Sequence, residues 1–244
     1  MPRIAISDSG VGGLTTLSRL TLAFPFCDFY YLADNINMPY GNLPPEQLKD
    51  IVTALTKKLK AHGDILVFAC NTASQIASGD VFRLSPPPTA GGSTLVLATP
   101  STVNALKQRQ EFREKRYFFA NTPELATIVE TYVSVGVRKN CLNMRDALPY
   151  LATKLKEFKG VENVVLGCSH YLYLKEEIKR ILGGVKFFDG NDNLITALKI
   201  ELSEEEKRYK NNSGTHTPSI EFDFTADDQS TKYTKILRLL KSEF

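Results

Sequence analysis

The sequence predicts an α/β fold made of two similar halves, each with a parallel β-sheet covered by helices. Three observations predict it: short apolar runs alternate with amphipathic stretches, a segment rich in proline and glycine divides the chain, and the patterns before that segment are repeated after it. The 244 residues are enough for two domains of ordinary size. We therefore expect two pseudo-symmetric, doubly wound parallel-sheet domains with the functional site in the crevice between them.

Seven short apolar runs predict the strands. Strands of a parallel sheet are covered on both faces, so they read as continuous apolar runs. The runs are residues 4–6, 29–32, 65–68, 95–97, 117–119, 164–166 and 185–188. Apolar side chains at helical spacing predict helices. These side chains are Leu48, Ile51, Val52, Leu55 and Leu59; Leu148, Leu151, Leu155 and Phe158; and Ile236, Leu239 and Leu240.

The segment at residues 85–92, with the sequence SPPPTAGG, predicts the boundary between the halves. Neither a helix nor a central strand accommodates it, because proline lacks the backbone donor and glycine lacks conformational restraint. We expect a first domain of residues 1–92 together with 208–244, whose C-terminal segment packs back on it, and a second domain of residues 93–207.

Composition excludes several classes of protein. Hydrophobic residues make up 43% of the chain and charged residues 23%, which argues against a disordered, collagenous or coiled-coil protein. A net charge of +3 does not call for a nucleic-acid partner, and no apolar run is long enough to span a membrane. With no apolar leader before residue 8, we expect a cytoplasmic protein without membrane or nucleic-acid partners.

Two cysteines occupy equivalent places in the two halves. Residues 65–72 (ILVFACNT) and 163–170 (NVVLGCSH) each put a cysteine, Cys70 or Cys168, after a small residue at the end of an apolar strand. The carboxyl ends of parallel strands border the ligand crevice. We therefore expect the two thiols to face one cleft from opposite sides, while Cys27 and Cys141 are expected to be small buried hydrophobes.

Hydrogen-bonding residues follow both of these cysteines: Asn71 and Thr72 in the first half, Ser169 and His170 in the second. A helix beginning there would stabilise a thiolate, and His170 could tune the thiol or protonate a substrate group. A metal site is not expected, because a C-x-H spacing is not typical of metal ligands.

Two similar acid/base groups on opposite faces of one carbon are what stereoinversion requires. One group removes the Cα proton and the other returns a proton to the opposite face. Polar groups near the strand ends would hold the charged ends of an amino acid between the sulfurs. These groups are Asp8, Ser9, Asn71, Thr72, Thr102 and Ser169.

The glycine turn at residues 8–13 (DSGVGG) has two interpretations. Its backbone N–H groups could bind an anion at the start of the following helix, or it could be a tight turn in which Asp8 or Ser9 caps that helix. Its spacing does not match a nucleotide-binding loop.

Four segments resemble the glutamate racemases of the aspartate/glutamate racemase superfamily: residues 8–15 (DSGVGGLT), 39–41 (PYG), 69–74 (ACNTAS) and 166–171 (LGCSHY). The resemblance implies that Cys70 and Cys168 are the catalytic thiols, assisted by Asp8 and His170. It also implies substrate-binding positions at Ser9, Pro39, Tyr40, Gly41, Asn71, Thr72, Thr102 and Ser169. Glu130 is assigned from a more divergent stretch at residues 123–130.

The resemblance further implies a cytoplasmic isomerase, often a homodimer, that needs neither pyridoxal phosphate nor metal and supplies D-glutamate for peptidoglycan, and so for cell-wall biogenesis and cell shape. Two alternatives remain open at this point. One is a racemase of the same superfamily acting on aspartate or another amino acid. The other is a binding protein that has lost turnover, acting on a partner such as DNA gyrase.

The sequence departs from the family pattern in three places. The segment at residues 81–92 is shortened and proline-rich, which suggests that one strand is absent. Ser169 stands where the family usually has threonine, and Asp189-Gly190 replaces an Asp-Ser pair. The shortening is expected to affect domain geometry and substrate preference more than the chemistry.

Overall fold

The computed structural model describes residues 1–211 and 216–241, which contain two sheets with parallel strands throughout. The first sheet has the order β4-β3-β1-β2-β9 and the second β6-β5-β7-β8. The strands are β1 (Arg3–Asp8), β2 (Asp28–Ala33), β3 (Ile65–Phe68), β4 (Phe82–Arg83), β5 (Thr94–Ala98), β6 (Tyr117–Asn121), β7 (Asn163–Gly167), β8 (Lys186–Phe188) and β9 (Ile220–Phe224).

Helices connect these strands, as parallel pairing requires. They are α1 (Gly13–Ala23), α2 (Pro45–Lys60), α3 (Asn71–Ser74), α4 (Pro100–Gln108), α5 (Leu125–Arg138), α6 (Leu148–Leu155), α7 (Lys175–Leu182), α8 (Asn191–Glu201), α9 (Ser203–Asn211) and α10 (Ser230–Lys241). Short 3₁₀ helices lie at Tyr40–Asn42, Gln110–Phe112, Arg145–Ala147, Lys156–Phe158 and Ser169–Leu174. No helix in the described part of the chain is long and apolar enough to cross a membrane.

The two sheets repeat one topology, which confirms the predicted α/β fold. Strands β1 to β4 of the first sheet correspond in order to β5 to β8 of the second, and each set places its first strand between its second and its third. All seven predicted strands are present, with buried side chains along β1, β3, β5 and β7. The equivalent strands β3 and β7 end just before the two cysteines: Cys168 follows β7 directly, and one residue, Ala69, separates β3 from Cys70.

Two strands were not predicted. The expectation that a strand is absent from residues 81–92 is wrong: Phe82 and Arg83 form a short edge strand that pairs with Val67 and Phe68. Strand β9 escaped prediction because its apolar residues alternate with charged ones, as is typical of an edge strand. It pairs with β2, so the C-terminal segment does pack on the first sheet.

The domain boundaries, 1–92 with 208–244 and 93–207, stay a prediction, and residues 212–215 and 242–244 of the C-terminal segment lie outside the described residues. Cys27 is buried in the core as expected. The expectation for Cys141 is wrong, because this thiol is exposed. It follows the end of α5, where the chain runs through a loop rather than a core-facing element.

Candidate active site

The predicted site residues collect where the carboxyl ends of the two sheets meet. Asp8 ends β1 and Cys70 follows β3, while Cys168 follows β7 of the second sheet. Each cysteine side chain is buried, with 6% of the residue exposed. The Cys168 thiol contributes to raising the pKa of Cys70, after burial and the charge of Asp8, so the two sulfurs belong to one electrostatic environment.

Cys70 lies at the start of α3, which has only four residues. Burial raises the pKa of its thiol well above the usual range, and the negative charge of Asp8 adds to this. The backbone N–H groups of Ala73 and Thr72 oppose the rise without cancelling it. The start of α3 therefore does stabilise a thiolate at Cys70, as expected, but the desolvation of the sulfur and the charge of Asp8 outweigh this effect, so the net change of the Cys70 pKa is upward.

Cys168 belongs to a chain of three side chains that ends at Glu130. The Sγ atom of Cys168 lies 3.9 Å from Nδ1 of His170, and Nε2 of His170 lies 2.9 Å from Oε1 of Glu130. Burial alone would lower the pKa of His170, but its hydrogen bonds to Cys168 and Glu130 outweigh burial and raise the pKa well above its ordinary value. The fold therefore favours the protonated form of His170 more than water does, and the two ring nitrogens of His170 face the Cys168 sulfur and the Glu130 carboxylate.

The glycine turn uses its backbone N–H groups to hold two carboxylates of the protein. Gly10 N donates to Oδ1 of Asp8 at 2.9 Å, and Val11 N donates to Oε1 of Glu130 at 2.6 Å. Gly12 occupies the N-cap position of α1 and makes no side-chain cap. The backbone of Gly13, the first residue of α1, hydrogen-bonds to Asp8, so Asp8 takes part in capping this helix. The N–H groups of the turn therefore bind two acidic side chains of the chain itself, those of Asp8 and Glu130, and anion binding at the helix start stays a prediction.

Asp8 links the two sheets. Its Oδ2 atom accepts a hydrogen bond of 2.9 Å from the Ser169 hydroxyl, which belongs to the second sheet's side of the site. Burial raises the pKa of Asp8, although His170, Gly10 and Ser169 all favour the ionised form. A buried carboxyl of this kind favours the protonated state more strongly in the folded chain than in the unfolded chain.

We expect Asp8→Asn to raise the melting temperature at pH 7 while lowering activity. The pKa of Asp8 is higher in the folded chain than its ordinary value of 3.8. The unfolded chain therefore ionises first as the pH rises, and the folded chain loses stability between pH 3.8 and the folded-state pKa of Asp8. The amide removes this cost: its oxygen can accept from Gly10 N, and its NH2 group can donate to Ser169 Oγ, which reverses the direction of the second hydrogen bond. The gain should be about 3 °C for each kcal/mol relieved, and it should disappear in scanning calorimetry below pH 3.8.

Asp189→Asn is the matched control for that prediction. Burial acts to raise the pKa of Asp189, but Lys175, Asn191 and Arg19 together hold it below the usual range. Ionised Asp189 therefore stabilises the folded chain at neutral pH, and its amide should lower the melting temperature. A destabilised Asp8→Asn protein at pH 7 would contradict the account of Asp8.

Three threonine hydroxyls join the two sides of the site. Thr72 Oγ1 lies 3.0 Å from Thr99 Oγ1 and 3.4 Å from Thr102 Oγ1, and the hydroxyls of Thr99 and Thr102 are 3.1 Å apart. Sequence reasoning identified Thr72 and Thr102 but missed Thr99. The signal for Thr99 was available, since it follows β5 directly, in the place that Cys168 takes after β7.

The predicted substrate loop at residues 39–41 lies against this cluster. A Cβ on Gly41 would lie 2.7 Å from Cβ of Thr99, so only glycine fits the contact. The Tyr40 hydroxyl donates to Asp34 at 2.6 Å, and Thr225, which follows β9, donates to the same carboxylate at 2.6 Å. Sequence reasoning missed Asp34, although it directly follows β2.

Asn71 and Ser9 complete the predicted set. The Asn71 amide donates to the Leu84 carbonyl at 3.3 Å, while its Oδ1 atom is buried and has no hydrogen-bond partner among the described residues. Ser9 is buried beside Asp8. Within residues 1–211 and 216–241, no group of three His, Cys, Asp or Glu side chains is placed to hold a metal ion.

Comparison with known proteins finds many similar sequences. No family model matches the chain. It is 31% identical over 212 residues to a glutamate racemase of Persephonella marina, covering 80% of this chain and 81% of the relative. It is 30% identical to the glutamate racemase of Aquifex aeolicus, covering 99% of this chain and 94% of that protein.

Solved structures of the same kind share the fold. The Escherichia coli glutamate racemase aligns with a TM-score of 0.76 at 21% identity, covering 98% of this chain and 95% of that chain. The Aquifex pyrophilus enzyme aligns with a TM-score of 0.66 at 27% identity over the same shares of the two chains. The Escherichia coli structure was solved with L-glutamate, and a Francisella tularensis structure with D-glutamate.

Proposed function

Because the chain belongs to the glutamate racemase family, a family of isomerases, we propose that it interconverts L-glutamate and D-glutamate by moving a proton between Cα and two thiols. The observation that carries the proposal is that Cys70 and Cys168 are buried at equivalent strand ends of two different sheets, and that their neighbours hydrogen-bond across to the other side, Thr72 to Thr99 and Ser169 to Asp8. Stereoinversion needs such a pair, because the proton must leave from one face and return to the other.

The proton transfers balance in the following way. The thiolate of one cysteine takes the Cα proton, and the electron pair of the broken C–H bond is delocalised into the α-carboxylate. The thiol of the other cysteine then gives its proton to the opposite face of Cα, which leaves the first sulfur as thiol and the second as thiolate. His170 lies 3.9 Å from the Cys168 sulfur and is placed to exchange a proton with it, and the charge of Asp8 raises the pKa of Cys70.

The polar groups around the sulfurs suit the charged ends of an amino acid. The buried Oδ1 atom of Asn71 can accept a hydrogen bond from the α-ammonium group. The hydroxyls of Thr72, Thr99 and Thr102 can donate to a carboxylate, with Ser9 and the loop at residues 39–41 completing the site. Together these contacts would hold Cα between the two sulfurs.

The proposal also covers where the protein acts and what its product is used for. The reaction needs reduced thiols, and the cysteines of the described chain are free, so we place the protein in the cytoplasm, where thiols stay reduced. There it would supply D-glutamate for peptidoglycan, acting as a homodimer without pyridoxal phosphate or metal. The family resemblance supports these last features.

The deciding experiment is racemisation of L- and D-glutamate, with aspartate alongside, by protein dialysed against a chelator and without added pyridoxal phosphate. We expect glutamate to be racemised in both directions. In D2O, the product enantiomer should carry deuterium at Cα, because the second thiol exchanges its proton with solvent. Faster turnover of aspartate would instead support the other racemase, no turnover of either would support a binding protein, and dependence on an added cofactor would contradict the mechanism.

A further inference from the structure

The last helix brings a lysine to the edge of the candidate active site. Lys232 lies in the first turn of α10, which packs against α1 and α5. Its Nζ atom lies 3.9 Å from Oε2 of Glu130 and 3.0 Å from the side-chain oxygen of Gln229. The Lys232 side chain is 25% exposed, and the Glu130 side chain is 13% exposed. The ion pair is therefore partly shielded from solvent.

Glu130 distributes its partners over its two oxygens. Oε1 accepts hydrogen bonds from Val11 N and from His170, whereas Oε2 faces Lys232. The bonds on Oε1 fix the carboxylate whether or not Lys232 is present. What Lys232 adds is a positive charge, close to a carboxylate that already pairs with His170.

We propose that Lys232 is a positioning residue for the active-site proton: through Glu130, its charge limits how strongly His170 retains the proton that it shares with Cys168. With Lys232 beside it, Glu130 stabilises two cations rather than one. The proton on Nδ1 of His170 can then pass to a thiolate at Cys168, which leaves a neutral imidazole and a thiol. This role rests on the proposed function.

The other groups that interact with the Glu130–His170 pair do not supply this charge. They include Asp8 from β1, Cys168 after β7, and Tyr31 and Tyr233 from β2 and α10. Burial raises the pKa of both tyrosines, which stay neutral. Burial lowers the pKa of Lys232 and Glu130 opposes it, so the lysine and the carboxylate depend on each other.

The test is the NMR titration of His170 in the full-length protein. The chain has three histidines, so the ring signals can be assigned with His62→Gln and His216→Gln. Without the positive charge of Lys232 nearby, His170 keeps its proton more readily. We therefore expect Lys232→Met to raise the His170 titration midpoint by about 0.5 pH unit. The basic limb of kcat/KM should move upward by the same amount. Lys232→Arg, which keeps the charge, should restore both.

Lys235→Met is the matched control, since it removes a charge from the same helix without a contact to Glu130. Lys232→Gln is a second neutral variant should the Met protein fail to fold. An unchanged His170 titration in the neutral variants, or an equal shift in Lys235→Met, would overturn the inference. Because the titration needs no turnover, it decides the role of Lys232 even if the protein racemises nothing, which would overturn only the proposed function.

Discussion

Cys70→Ala and Cys168→Ala should each lower kcat/KM for glutamate by about 1000-fold or more, in both directions. Every turnover uses one sulfur to remove a proton and the other to return one, so the loss of either sulfur stops the full cycle. The loss should lie in kcat more than in KM, because substrate contacts are assigned to neighbouring polar groups. Circular dichroism or optical rotation of the substrate pool measures racemisation in each direction.

The double variant, with both Cys70 and Cys168 replaced by Ala, distinguishes this mechanism from one in which the two thiols contribute to the rate independently. Its loss should be far smaller than the product of the single losses, because the two thiols act as one unit. Cys141→Ala is the control, since that thiol is exposed and should leave activity unchanged. Near-normal racemisation by either single active-site variant would refute the two-thiol mechanism.

Gly10→Ala should lower kcat/KM by about 100-fold, the size of effect expected when an acid/base group loses its orientation. A Cβ at this position would lie 1.9 Å from Oε1 of Glu130 and 3.3 Å from Nε2 of His170. Glu130 must then move, and His170 loses the carboxylate that raises its pKa. The His170 titration midpoint should fall, which NMR can follow together with the rate.

Gly91→Ala is the control for that substitution. A Cβ on Gly91 meets no atom within 4 Å, and its φ is not in the left-handed region, so stability and rate should both be retained. If the Gly10→Ala protein racemised glutamate at the normal rate and the His170 titration midpoint were unchanged, Glu130 would have no role in controlling His170.

Local patterns were sufficient to predict the architecture and the two cysteines. An apolar run followed by a small residue and a cysteine occurs twice, and parallel strands must bring both cysteines to sheet ends. Strand β9 was missed because a half-covered edge strand has no continuous apolar run. Strand β4 was missed because two residues carry too little pattern to be recognised.

The electrostatics of the site could not be predicted in the same way. Sequence reasoning expected a helix to lower the pKa of Cys70, but desolvation and Asp8 act on it in the opposite direction. Glu130 was assigned only from the family resemblance, and its contacts with Val11, His170 and Lys232 join residues far apart in the sequence. Such contacts depend on how the two sheets face each other, and a short stretch of sequence carries no information about that arrangement.

The position of β9 in the first sheet has a consequence for synthesis. Thr225, just beyond this strand, bonds to Asp34 across 191 residues of sequence, and β9 covers an edge of β2 that was translated much earlier. A nascent chain that stops before residue 220 leaves this edge unpaired, open to association with other strands. The first sheet therefore cannot be completed on the ribosome before residue 224 has emerged. Truncation before β9 should yield aggregating protein rather than a smaller active enzyme.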